Sequence, residues 1–589
     1  MKTPPPASDS ASGSAAVPTS PAVAGYKPSR KDVWLLGLTI VLGGQFFSWN
    51  HGFVVGLYTY LIGFLLISSG YFTLCLCAAE IAGALPFAGG AYGLSRCTLG
   101  FFPGFLIGGF ELIEYLSYTA TLMVELQHII TVEFFPSWHG YEPLMGIFFY
   151  ALVIGIQWKG DKTFWHCTIV LGSVSFGLLL LYCVGSLPFV NFQVYASQQS
   201  FGKWSPHGFA GFMRGLPIAT HFFMGLNTLQ LASDMVGEPK KIIPFAQVAC
   251  MVTLFLTAFS LFFVAVSLPQ GITTELSTSI EPLNNGFMRM FAISEQLAAV
   301  FSVPATFATA FGFIWCSTKL LSSMASSRLF PPVLAKKSRR YGTPYVALLV
   351  GCAVSYSMSL VVDFVPEMEE LLFSLSMMSA FVAYIGQCIG YISLKKNYKN
   401  IKSSFCQNPF GIWGALYSLC IWLLALVATL GFAGHGAAEM EEIGVAFALL
   451  SIYYYAYARK RQTFSPEENK VLLVAHVMKF NNLKQGFSKH KSSKSSKSSK
   501  SSKSKVSSSS PSSSGLTVRQ QKAAAAKGSG AVRSSVRSSK TSQAPTEDPP
   551  AAVGQQKTAL LALKTPSTAT SNVLDQQLSQ YMKVVPAKG

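Results

Sequence analysis

The chain has 589 residues, of which 50% are hydrophobic and only 12% charged, about half the charged share of an ordinary soluble domain. So little charge cannot cover a water-soluble surface of this size, and the apolar residues gather in runs of roughly 18–25, the length that crosses about 30 Å of hydrocarbon. The formal net charge of +19 would suit a nucleic-acid partner only if it were spread over a folded surface; most of its excess lies in a Ser/Lys tail after residue 484, so no nucleic-acid partner is expected.

Residues 1–31 are rich in Pro, Ser and Ala and lack the apolar core of a cleavable signal peptide, which predicts a disordered cytoplasmic segment. From there, apolar runs at 33–55, 57–84, 101–130, 143–158, 164–187, 211–233, 243–268, 293–325, 345–363, 367–394, 409–431 and 438–458 predict an all-α integral membrane domain of about twelve helices over residues 32–460. Continuous apolarity excludes a membrane barrel, whose strands alternate in polarity.

Lys and Arg in the short connections collect on one side: Lys27, Arg30 and Lys31; Arg96; Lys159 and Lys162; Lys240 and Lys241; Lys336, Lys337, Arg339 and Arg340; Lys395 and Lys396; Arg459, Lys460 and Arg461. The opposite connections carry little positive charge beyond Lys203, Arg214 and Arg289 and hold acids such as Glu142, Glu367 and Glu439. The excess of positive charge predicts that this side and both termini are cytoplasmic, with the plasma membrane the expected location. Residues 461–487 form a juxtamembrane segment whose stretch 471–484 reads as an amphipathic surface helix. Residues 488–589, with their Lys-Ser-Ser repeats, read as a disordered cytoplasmic tail. That tail is either a solvated linker or a polybasic contact for anionic lipid, with or without control by phosphorylation.

Two runs are interrupted. The first reads Gly43-Gly44-Gln45-Phe46-Phe47-Ser48-Trp49-Asn50-His51-Gly52 at mid-membrane depth, and the sixth reads Thr220-His221-Phe222-Phe223-Met224-Gly225-Leu226-Asn227-Thr228. Unpaired backbone groups inside hydrocarbon are tolerated only where they line a cavity or meet a ligand. Paired interruptions at corresponding places in two halves point to a transporter's central site. The alternative is that these glycines only let helices pack closely.

Ionisable groups at depth cost about 2.5–3.5 kcal/mol on insertion scales and need a partner or a water path. Glu111 and Glu114, three residues apart in the third run, either serve a substrate cation or a proton, or anchor an unwound helix end. Lys319 either faces the central cavity, in place of a coupling sodium ion or alternating in charge with a nearby carboxylate, or snorkels to the interface. His221 either titrates near neutral pH or is a hydrogen-bonding wall residue. The cysteines are scattered through the apolar runs without metal-ligand spacing, so neither a disulfide framework nor a metal site is expected. No nucleophile elbow or phosphate loop stands at a plausible depth, so neither an enzyme nor an ATP-driven pump is expected.

Ser48-Trp49-Asn50-His51-Gly52, Ala79-Glu80-Ile81 with Leu85-Pro86-Phe87-Ala88-Gly89-Gly90-Ala91-Tyr92, and Glu111-Leu112-Ile113-Glu114-Tyr115 resemble the first three helices of the amino acid-polyamine-organocation (APC) transporters, most of all the ethanolamine-permease-like branch. Asp234 with Glu238-Pro239-Lys240-Lys241-Ile242-Ile243-Pro244, and Arg328 through Pro332 with Tyr341-Gly342-Thr343-Pro344-Tyr345, are similar to that family's later loops. The resemblance covers roughly residues 26–460. It implies a leucine-transporter-like five-plus-five inverted repeat with two extra helices, moving an amino acid or a small, ethanolamine-like amine by alternating access without a cofactor, coupled to a proton or sodium gradient. A polyamine or cationic amino acid carrier, and a non-transporting nutrient sensor on the same scaffold, are the alternatives. Carried onto matching positions, Phe47, Ser48, Trp49 and Asn50 hold the solute's polar end, Phe223 gates it and Gly225 leaves room for the backbone to open. Asn227 stands where many relatives have a glutamate, so a negative partner for a substrate ammonium is missing there.

Overall fold

A computed structural model describes residues 26–197, 207–269, 271, 276–277, 279–397, 403, 405–432 and 436–469. Of the segment expected to be disordered, 1–31, residues 1–25 lie outside the described residues, as do 488–589 and the amphipathic stretch at 471–484. Its end is ordered instead, because Ser29 caps the first helix, which starts at Arg30, and the Tyr26 hydroxyl donates to Asp32.

Every described element is helical, and the twelve apolar runs each become a helix or a broken helix. The first span is Arg30–Val41 continued by Trp49–Val55, and the second is Leu57–Ala84. The third to fifth are Phe101–His128, Glu142–Lys159 and Asp161–Gly185, and the sixth is broken into Gly208–Gly215, Pro217–Phe222 and Leu226–Asp234. Pro239–Val266, Val303–Ser326, Tyr345–Phe364, Met368–Asn397, Gly411–Phe432 and Gly436–Tyr453 complete the set. Seven of these helices are long and apolar enough to cross a membrane, and the first span, bent by 42° at its break, makes eight. The other four have visible reasons for falling short. The third carries Glu111, Glu114 and Glu125, the fourth counts a charged residue at each end of its 18 residues, Glu142 and Lys159, the sixth is broken, and the twelfth opens with Glu439, Glu441 and Glu442.

The eighth run differs from expectation at its start. Ala292 takes a left-handed backbone (φ 51°) and a short turn of helix at Glu295–Ala299 precedes the long helix from Val303. A further short helix, Gly90–Thr98, follows the second span and packs against the third.

Each broken span is laid against the other. A Cβ added at Gly44 would run into the carbonyl oxygen of His221, so only glycine lets the two backbones meet at this depth. The first span also lies against the fifth, seventh and eighth, and the third against the eighth and tenth. The two breaks thus sit at the centre of the bundle, where continuous helices brace them.

Lys159, Lys162, Lys337, Arg339 and Arg340 line one cavity together with Ser465 and Pro466, which places two of the basic connections and the segment after the twelfth span on a single face. Glu80, near the same end of the second span, receives the Lys395 ammonium at 2.5 Å and the Tyr391 hydroxyl at 2.6 Å, the structural role its position suggests.

Candidate substrate site at the helix breaks

In the first span the helix tightens at Leu42–Gln45 and stops. The Gly43 N–H, freed from the helix ladder, donates to Thr309 Oγ1 of the eighth span (2.8 Å), and Gln45 Nε2 donates to the Leu254 carbonyl of the seventh (3.0 Å). Neighbouring helices thus satisfy the groups that the break exposes, as hydrocarbon requires. The chain then bends through Ser48, a non-glycine residue in the left-handed region (φ 66°), a conformation that marks a locally constrained backbone. In the sixth span Gly225 does the same (φ 94°), with Phe313 and Ile40 where a Cβ would stand.

The substrate-binding residues predicted from sequence come together at these breaks, all of them buried. Trp49 donates from its indole to the Gln45 carbonyl (3.1 Å) and packs on Phe222 (5.2 Å) and Phe53 (5.7 Å). The Tyr60 hydroxyl donates to the Trp49 carbonyl at 2.6 Å. With Phe64 and Phe262 these rings form an aromatic plug in the half of the molecule opposite the basic face. Phe223 lies beside the plug, between Phe64 (6.1 Å) and Tyr71 (5.4 Å). Asn50 sits at the plug's outer edge, where its Nδ2 donates to the carbonyls of Leu276 and Ser279 (both 2.7 Å). That ties the first span to residues Leu276 and Ser279, a role its sequence context did not announce. Phe47 is buried beside Ser48.

Asn227 is 5% exposed, and neither its amide nitrogen nor its oxygen has a partner. Buried amides are ordinarily satisfied, so this orphan next to a helix break is the strongest local sign of a place for a polar solute.

The ionisable candidates divide. Glu111 and Glu114 are fully buried, and among the described residues no Lys, Arg or His forms an ion pair with either. One Glu111 oxygen accepts from the Tyr115 hydroxyl (2.8 Å) and, more weakly, from the Ala91 N–H (3.5 Å) at the start of the short helix Gly90–Thr98. Glu111 therefore anchors a helix N-terminus, where a carboxylate is favoured. Glu114 points elsewhere. It accepts from the Tyr384 hydroxyl (3.3 Å), which in turn accepts from Tyr71 (3.4 Å) and meets the Gly225 backbone. Its second oxygen has no partner. A carboxylate of the third span is thus wired to the break of the sixth, where Asn227 removed the expected acid. Tyr71 and Tyr384 were not singled out in the sequence because each lies inside a long apolar run and is unremarkable without its partner.

His221 stacks on Phe373 (4.3 Å, 10° between planes) and its Nδ1 meets the Ile218 carbonyl (2.7 Å), with Nε2 unpartnered; it is a wall residue beside the plug. Lys319 neither snorkels free nor reaches the breaks. Its ammonium sits 2.9 Å from both carboxylate oxygens of Asp234. That pair forms part of the wall of the basic-face cavity, about 980 Å³ in volume, whose lining includes Gln157, Trp315 and Thr318 but none of the residues at the two breaks.

The Lys319–Asp234 pair joins the end of the sixth span to the eighth and is partly solvated, so its contribution to stability is small, roughly 0.2–1 kcal/mol. A double-mutant cycle with Lys319→Gln and Asp234→Asn is therefore expected to be near additive in thermal stability and strongly non-additive in transport rate. Additivity in both measurements would remove the pair from the transport cycle.

A family model described as amino acid permease matches residues 35–456. The chain is 24% identical to the lysine-specific permease LysP of Lactococcus lactis over 464 residues, covering 73% of this chain and 88% of that protein. It is 22% identical to the branched-chain amino acid permease BcaP of Bacillus subtilis, covering 73% and 92% respectively. It is 23% identical to the methylthioribose transporter of the same organism, covering 73% and 93%. The fold, the paired breaks and a match across nearly the whole helical bundle agree: the chain belongs to the amino acid permease family of multi-pass membrane transporters.

Proposed function

We propose that the protein is a secondary active carrier that moves an amino acid or a small amine by alternating access, holding the solute between the breaks of the first and sixth spans. The observation that carries this reading is that the two broken spans meet at Gly44 and His221, with left-handed backbone at Ser48 and Gly225 and an orphaned Asn227 amide two residues beyond the second break. The first break offers backbone groups to a solute's polar end, and Phe223 gates it from the side of the plug. The basic face is cytoplasmic in this reading, following the loop charges, and the plasma membrane is the location. The tail's contact is with anionic lipid.

For the substrate, an amine is favoured because Glu114 brings an unpaired carboxylate to the sixth-span break. The same observation favours cationic amino acids and polyamines over neutral amino acids as the second reading, alongside the ethanolamine-like amine that the sequence suggests. Among relatives, one is named a lysine-specific permease and another a branched-chain amino acid permease. Proton coupling through Glu114 is the preferred energy source.

The test is uptake by purified protein in liposomes, with and without an imposed proton gradient, over ethanolamine, neutral and cationic amino acids, and polyamines. Saturable uptake of at least one amine-bearing solute, stimulated by the gradient, is expected. Specific binding without flux under any gradient would replace the carrier with a sensor.

A further inference from the structure

After the twelfth span the chain does not leave the bundle. Gln462 to Ser465 run back across the basic face and a new turn of helix begins at residues 466–469. This turn is set by a reciprocal cap: the Glu468 N–H donates to Ser465 Oγ (3.1 Å) and the Ser465 N–H donates to Glu468 Oε2 (2.8 Å), with Pro466 at the first helical position. The Glu468 carboxylate is nevertheless used mainly for something else. Arg96 donates to both its oxygens (2.8 and 3.1 Å), the Tyr92 hydroxyl donates to Oε1 (2.6 Å), and the Ser327 hydroxyl donates to Oε2 (2.6 Å). The ion pair is sealed, with side-chain exposures of 0% for Arg96 and 1% for Glu468.

The backbone adds two more bonds. Arg96 Nη2 donates to the Thr463 carbonyl and the Thr463 N–H donates to the Ser327 carbonyl, both at 3.0 Å. Phe464 and Phe101 cover the guanidinium, each about 5.1 Å away.

The socket's three donors come from two elements, Tyr92 and Arg96 from the short helix Gly90–Thr98 and Ser327 from the end of the eighth span. The strap that fills it, through Ser465 and Pro466, also forms part of the wall of the basic-face cavity, and the eighth span supplies Lys319 and Ser322 to the same cavity. We propose that Tyr92, Arg96 and Ser327 form a carboxylate-binding socket whose occupant is the chain's own strap, and that the Glu468 clamp holds the basic-face cavity open until the strap is released. Closing that cavity requires the eighth span to move against the short helix, and the clamp ties those two elements through one buried carboxylate. Residues 470–589 continue directly from the strap, so a contact made by the basic tail acts on this clamp.

This reading rests on alternating access as proposed above, but its test needs no substrate. A cysteine placed at Ser323, on the cavity wall, is alkylated from the basic face with a membrane-impermeant maleimide in the full-length reconstituted protein. The parent chain, which has 11 native cysteines, supplies the background. With Glu468→Gln, labelling at position 323 is expected to slow at least threefold, because the cavity spends more time closed. Ser327→Ala, which removes one bond and leaves the ion pair, is expected to slow it less, in the same direction. If Glu468→Gln does not fold, Ser327→Ala decides. Unchanged or faster labelling in folded protein would overturn the clamp, whatever the uptake assay finds, and a purely structural strap would appear as a lowered melting temperature with unchanged labelling.

Discussion

Phe223→Ala and Trp49→Ala are each expected to lower uptake per surface-expressed molecule at least tenfold. Both rings are fully buried, and their removal costs about 3–5 kcal/mol of packing by the usual measure of aromatic truncation. That alone would only reduce the amount of folded protein, which is why uptake must be normalised to surface expression. The transport defect has a separate origin. Trp49 is tied at both ends, through its indole to Gln45 and through its carbonyl to Tyr60, and it caps the break on the side away from the basic cavity. Without it the plug of Phe53, Phe222 and Phe262 loses its central ring, and the two faces are no longer sealed from one another. Phe223 lies between that plug and the Tyr71–Tyr384–Glu114 chain, so its loss uncouples the gate from the carboxylate. Gly225→Ala tests the same place with a smaller change, since its positive φ and the close approach of Phe313 and Ile40 leave no room for a methyl group without moving the break. Normal uptake in both aromatic variants would remove the substrate site from the helix breaks.

The twelve helices were legible because hydrocarbon imposes a length and a continuous apolarity that few other environments demand, and the two breaks were legible because glycines and small polar residues stand in otherwise apolar runs. The break points themselves were less so. Gly225 carries its backbone preference in its name, whereas Ser48 adopts a left-handed conformation that its residue type does not announce. Long-range partnerships were not legible at all. Lys319 read without a named partner because Asp234 lies 85 residues before it, and Glu468 read only as part of the juxtamembrane segment because Arg96 lies 372 residues away. Glu111 and Glu114 read as an equivalent pair three residues apart, yet packing sends one to a helix N-terminus and the other to two tyrosines. Charge alone fixes how costly a buried group is; only the fold decides what offsets the cost.

Glu114→Gln is expected to reduce uptake at least tenfold and to abolish its stimulation by a proton gradient, while leaving the protein folded and at least as heat-stable as the parent. The argument starts from desolvation. An ionised carboxylate this deeply buried carries a penalty of several kcal/mol unless a cation or strong hydrogen bonds compensate it. Among the described residues Glu114 has no cationic partner, one oxygen held by Tyr384 at 3.3 Å, and one oxygen unpartnered. On the proposed mechanism, a proton on Glu114 relieves the penalty in the empty carrier and a substrate ammonium does so in the loaded one. Binding of the cation and release of the proton become alternatives at one oxygen, which is the requirement for coupling the two. Glutamine keeps the shape and the bond from Tyr384 but accepts neither a proton nor a counter-charge, so coupling disappears while the packing survives. Glu111→Gln should behave in the opposite way: its amide oxygen still accepts from Tyr115 and Ala91, but the negative charge at the start of the Gly90–Thr98 helix is gone, so melting temperature falls somewhat while the proton dependence of uptake stays intact. Proton-stimulated uptake that persists in Glu114→Gln would assign the coupling to another group, and a loss of coupling in Glu111→Gln alone would show that the two carboxylates exchange the roles their hydrogen bonds give them.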